Sequence, residues 1–123
     1  MEFLFRDEEH ENYFKNAYLD YPLTEPGEIV TFYLFGLVPE LQQYGYSMFS
    51  LKEGGLVKTR LGEPWQTEDT RRIIALILHL TQGENDSPYL RPSALFDTYL
   101  TPYLMCAIQY MKREGPGYIG LPA

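Results

Sequence analysis

The stretch Trp65-Gln66-Thr67-Glu68-Asp69-Thr70-Arg71-Arg72-Ile73-Ile74-Ala75-Leu76-Ile77-Leu78-His79-Leu80-Thr81-Gln82-Gly83 decides the fold. Signals at both ends mark it as one helix. Thr67 offers its side-chain oxygen to a free backbone N–H of the first turn, and Glu68 and Asp69 set negative charge against the positive pole of the dipole. Gly83 supplies the left-handed residue that ends the helix. Between Ile73 and Leu80 only His79 is polar, so the helix is expected to be enclosed by protein on most sides. Each buried Ile or Leu contributes about 1.5–3 kcal/mol, which makes this segment a large part of the core.

The segments before it read as helices too. Asp7 is placed to cap a helix running to about Tyr18, with Glu8, Glu9 and Glu11 in its first turns and Phe14, Ala17, Tyr18 and Tyr21 along an apolar face. Tyr21 to Gly27, with Pro22 and Pro26, is a break. Glu28 to Leu37 fits a buried strand or a buried helix by composition. Helix is preferred, because no second β-rich run exists for a strand to pair with. Pro39 suits the first position of a third helix, to about Phe49, although Gly45 weakens it by about 1 kcal/mol relative to alanine. Lys52 to Pro64 reads as a loop, a length often tied to function.

After the central helix, Glu84 to Pro88 is a polar turn. A short helical piece with Leu95 and Phe96 follows Pro92. Thr101 as cap and Pro102 behind it open the last helix, to about Arg113, whose Lys112 and Arg113 favour the negative pole. Gly115-Pro116-Gly117 stops it, and Tyr118, Ile119 and Leu121 are expected to tuck back onto the body.

With 123 residues the chain is sized for one domain with a real core. Eleven tyrosines and seven phenylalanines imply many large, half-buried rings. The one cysteine, Cys106, lies in an apolar run with no basic neighbour to lower its pKa, so an inert thiol is expected rather than a nucleophile. Residues 1–9 lack the basic and apolar parts of a signal peptide, and no apolar run approaches the roughly 20 residues that span a bilayer. The expected compartment is the cytoplasm, with no membrane partner.

Net charge is −7, and all of the excess lies in the first third: residues 1–40 hold nine acids and two bases, the remainder eight of each. Such a balance disfavours nucleic acid as a direct ligand, since phosphate is neutralised by Lys and Arg. A basic protein surface is the natural complement. The acids also have a simpler use, as the dipole complement of a helix start.

Taken end to end, the chain resembles an uncharacterised family of small proteins from Gram-positive bacteria, their phages and integrative elements. The resemblance is carried by Leu4-Phe5 with Asp7, His10 and Phe14; Tyr33-Leu34-Phe35-Gly36; Trp65-Gln66-Thr67; Arg72; Leu76, Leu80 and Gly83; Pro92 with Leu95-Phe96; and Pro102-Tyr103 with Ala107-Ile108. It departs from the family pattern at Ala75 and His79, where members place a second arginine and an asparagine. The resemblance implies a compact domain in a phage or mobile-element setting and brings no activity with it.

Chemistry is thinly marked. Asp7 and His10 could share a helical face, but metal sites in bundles need ligands from further helices, and the only other histidine is His79. No phosphate-binding loop or nucleophile elbow is present, and Gly54-Gly55 reads as a turn. Glu68, Arg72 and His79 are spaced to lie near one side of the central helix, which is expected to face water or a cleft. Trp65 beside that arginine has the composition of a binding hot spot. The plainer reading is a Glu68–Arg72 pair with Trp65 packed over the helix start.

The expected fold is all-α, one domain over residues 1–123, with about five helices packed around Thr67 to Gln82. The expected function is that of a small acidic interaction protein, an accessory factor of a phage or mobile element that binds a host or defence protein. Its partner-binding residues are Asp7, Glu8, Glu9, Glu11, Trp65, Glu68 and Arg72. No catalytic residue, metal or cofactor is assigned. The rival is a small enzyme with a site at His10 or His79. Self-association as a homodimer through the tyrosine-rich surface is compatible with either.

Overall fold

A computed structural model describes residues 3–21, 23–50, 55–56 and 63–114. Among them are six α-helices: α1 (Glu8–Asp20), α2 (Pro26–Phe35), α3 (Pro39–Met48), α4 (Glu68–Gln82), α5 (Pro92–Phe96) and α6 (Thr101–Glu114). A 3-10 turn, Pro88–Leu90, leads into α5. Strand is confined to a two-rung antiparallel ladder, Phe49–Ser50 (β1) against Gly55–Leu56 (β2), with Phe49 opposite Leu56. β2 lies within the Lys52–Pro64 loop, whose residues 52–54 and 57–62 lie outside the described residues, as does the tail with Tyr118, Ile119 and Leu121.

The second apolar segment is a helix, as expected, but begins earlier. Pro26 takes its first turn, and Glu28 reaches back so that the Glu25 N–H donates to its carboxylate at 3.2 Å. The run Ile29–Phe35 is buried at every position, because α2 packs against α1, α3, α4 and α6. Such all-round enclosure explains a sequence with β-branched and aromatic residues on every side, which local propensity alone assigns to a strand.

α4 is capped as its sequence predicts. The Thr70 N–H donates to Thr67 Oγ1 at 3.1 Å, and the Thr67 N–H returns a bond to Thr70 Oγ1 at 2.8 Å. Gly83 closes it in the left-handed conformation, φ 74°. Ile73 to Leu80 are all buried, His79 included, so α2 and α4 together carry the centre of the core. No helix of the described residues is long and apolar enough to cross a membrane.

Two glycines set how closely helices approach. A Cβ at Gly36, just past α2, would lie 2.6 Å from His10 Cδ2 on α1. At Gly45 it would lie 2.7 Å from Phe35 Cδ2, so the glycine that weakens α3 on propensity is what lets α3 close on α2.

Candidate docking face on the first helix

Asp7 is extended and caps α1, its Oδ1 accepting the His10 N–H at 2.8 Å. The chain before it is tied down by His10. The Arg6 N–H donates to His10 Nδ1 at 3.0 Å, so the ring proton sits on Nε2, which lies 2.7 Å from the carbonyl of Tyr33 and donates to it. His10 is therefore a neutral crosspiece between α1 and α2 with both ring nitrogens engaged. Its burial holds its pKa below the ordinary value, against the raising effects of the Tyr33 carbonyl and Asp7.

Residues 3–6 are laid across α2 and α6 by the same logic. Tyr33 donates its hydroxyl to the Leu4 carbonyl at 2.5 Å, and Phe3 stacks on the Tyr33 ring at 4.4 Å and tilts against Tyr110 at 4.8 Å. Phe3 and Phe5 then line a groove with Glu11, Phe14, Lys15, Tyr18 and Leu19 of α1, about 640 Å³ in volume. The groove is apolar apart from Glu11 and Lys15, which pair with each other at 3.3 Å. Leu19 is 85% exposed at its edge.

The four acids of the α1 start divide into two pairs. Asp7 serves the cap and Glu11 is neutralised by Lys15, whereas Glu8 and Glu9 are exposed and have no cationic partner among the described residues. Glu8 and Glu9 stand in the first turn, where they face the positive pole of the dipole, and they carry unpaired negative charge among the described residues on the helix that lines the groove.

The second set of sequence-predicted residues is more enclosed. Trp65 is half-buried and stacked on Tyr44 of α3 at 4.6 Å, with its Nε1 buried. Arg72 reaches Asp69 at 2.6 Å and Glu68 at 3.7 Å, its side chain only 11% exposed. His79 does not share a solvent-facing side with them. It is fully buried where α4 turns into Gly83, donating from Nδ1 to the Glu84 carbonyl at 3.1 Å. The expectation of a polar side spanning Glu68, Arg72 and His79 is thereby corrected: the chain beyond the left-handed cap folds back over the last turn and covers it.

Spacing along the chain missed the residues that connect the two acidic starts. Tyr99 donates its hydroxyl to Asp69 at 2.7 Å, and the Arg6 guanidinium lies 5.0 Å over the Tyr99 ring while donating to the Leu37 carbonyl at 2.6 Å. Neither contact has a sequence signal beyond the abundance of tyrosine. Among the described residues no three His, Cys, Asp or Glu side chains gather as metal ligands would. Neither His10 nor His79 presents a ring nitrogen at the surface.

A family of unknown function, DUF6075, matches residues 1–114. The chain belongs to that family. No curated protein and no solved structure matches it. Membership in DUF6075 supplies no reaction, so function rests on the faces described above.

Proposed function

We propose that this DUF6075 protein is an interaction protein that docks a basic partner segment on α1. The observation that carries the reading is that one helix holds both an apolar groove and unpaired acids: Phe14, Tyr18 and Leu19 line the groove, and Glu8 and Glu9 stand free at its start. The chemistry suits an amphipathic segment with apolar residues for the groove and Lys or Arg toward the helix start. Glu68 lies on the neighbouring acidic start but is tied to Arg72, so its part is secondary to that of Glu8 and Glu9. The proposed setting is the cytoplasm of a host in which the chain serves a phage or mobile element and binds a host or defence protein.

The test begins with a partner recovered on the wild-type chain. Leu19→Ser removes the exposed apolar edge, and Glu8→Gln with Glu9→Gln removes the free charge; each should weaken that partner's binding while the melting temperature stays unchanged. Arg91→Gln, an exposed change away from α1, should leave binding intact. Undiminished binding by both α1 variants would remove the face from the account.

A further inference from the structure

A second, smaller pocket opens on the other long helix, where α4 meets the 3-10 turn. It has a volume of about 250 Å³, and its described lining is Gln66, Arg71, Ile74, Ala75, Leu78, Ser87 and Tyr89. Ile74 and Ala75, each one turn before Leu78 on α4, give it with Leu78 an apolar floor. The polar groups around that floor are all able to donate.

Three of these donors, on Gln66, Arg71 and Ser87, are uncommitted among the described residues. Gln66 is 92% buried, being 8% exposed, and the Thr70 hydroxyl lies 2.6 Å from its Oε1, which leaves Nε2 buried without an acceptor. A buried amide donor without a partner carries an uncompensated desolvation cost, which a ligand acceptor would remove. Arg71 is exposed and makes no ion pair among the described residues, unlike Arg72 beside it. Ser87 Oγ accepts the Tyr89 N–H at 3.2 Å, so its own hydroxyl hydrogen is free to be donated. Among the described residues no acid lines it, in a chain whose net charge is −7.

We infer that this pocket is a binding site for a small carboxylate with an apolar body. The body lies on Ile74, Ala75 and Leu78, the carboxylate takes the Arg71 guanidinium, and the Gln66 amide and Ser87 hydroxyl turn to the remaining lone pairs. The apolar floor and a described lining without an acid favour this class over a cation or a polyol. A free organic acid and the terminal carboxylate of a peptide share that chemistry.

The test uses the full chain labelled with ¹⁵N and titrated with benzoate, with its uncharged isostere benzamide, and with an acetylated dipeptide ending in phenylalanine. Benzoate is expected to shift the amide signals of residues 66–78 and 87–89 in a saturable way, with benzamide at least about fivefold weaker for want of the charge-assisted bond. Arg71→Gln is exposed and leaves the fold intact; it should reduce benzoate affinity about fivefold to tenfold and leave benzamide unchanged. Tighter binding of the dipeptide than of benzoate would identify a peptide terminus as the source, and the reverse a free acid. Absence of saturable shifts with either acid, or equal affinities for benzoate and benzamide that ignore Arg71→Gln, would overturn the inference. The α1 docking reading stands or falls separately, because no residue of that groove lines this pocket.

Discussion

α1 and α4 begin alike and end in different trades. Both have a side-chain oxygen at the cap and two or more acids in the first turn: Asp7 with Glu8, Glu9 and Glu11, and Thr67 with Glu68 and Asp69. At α4 the acids are absorbed by the fold, Asp69 by Arg72 and Tyr99, and Glu68 by Arg72. At α1 Glu8 and Glu9 have no cationic partner among the described residues. The same sequence device is thus tied to side chains of the fold in one helix and left without them among the described residues in the other, and only the packing of distant residues tells them apart. The apolar faces differ in the same sense. α4 buries every residue from Ile73 to Leu80, whereas α1 buries His10, Phe14 and Ala17 and leaves Leu19 to solvent.

The largest effects are expected where α4 is enclosed. Leu76→Ala, at a fully buried position, should cost about 2–5 kcal/mol by denaturant titration, while Leu19→Ser on α1 should cost within about 0.5 kcal/mol. A loss below about 1 kcal/mol at Leu76 would mean that the two helices do not differ in burial as described. Next comes the joint between α1 and α2. Gly36→Ala sets a methyl 2.6 Å from His10 Cδ2 and should cost about 1–3 kcal/mol, since the buried ring has nowhere to move.

His10 adds a pH dependence to that joint. Its pKa is lowered in the folded chain, so the unfolded chain binds the proton first as pH falls below about 6.5. The stability it contributes is fully present above that pH and is lost as pH falls from there toward the lowered folded value. His10→Gln, which carries no titrating proton, should flatten the stability slope between about pH 7 and pH 5. An unchanged slope would put the pH dependence elsewhere.

Smaller still are the charge effects, and here the two helix starts should separate. Arg72→Ala removes a partly buried cation from two acids and should cost about 1 kcal/mol. Glu8→Gln and Glu9→Gln should each cost a few tenths of a kcal/mol, the share of an exposed acid in a helix dipole. Equal losses at the two starts would erase the distinction.

Much of the architecture was legible in the chain because helix ends are local chemistry. Asp7, Thr67 and Gly83 act where their types say they should, and Pro39 and Pro102 stand in opening turns, whereas Pro26, read as part of a break, opens α2. Glu28 to Leu37 reads as helix through its helical neighbours and the lack of a pairing strand, since its residue types favour the other answer. The placement of His79 was not legible, because a helical spacing gives a direction and not what covers it. The groove depends on Phe3 and Phe5 being held over α2 by Tyr33 and His10, contacts across the chain that no local pattern encodes. The same holds for Arg6, Tyr99 and Asp69.

The claim that α1 carries free charge for a partner is tested most directly by kinetics. Glu11 is left in place because Lys15 already pairs it. With a purified partner, the association rate is measured against ionic strength for wild type and for the Glu8→Gln, Glu9→Gln double variant, both at equal thermal stability. With screening over about 8 Å at physiological salt, the wild-type rate should fall steeply as salt rises, and the variant should associate more slowly with a shallower slope. Equal rates and equal salt slopes for the two proteins would contradict the account and reduce Glu8 and Glu9 to the same structural role as Glu68.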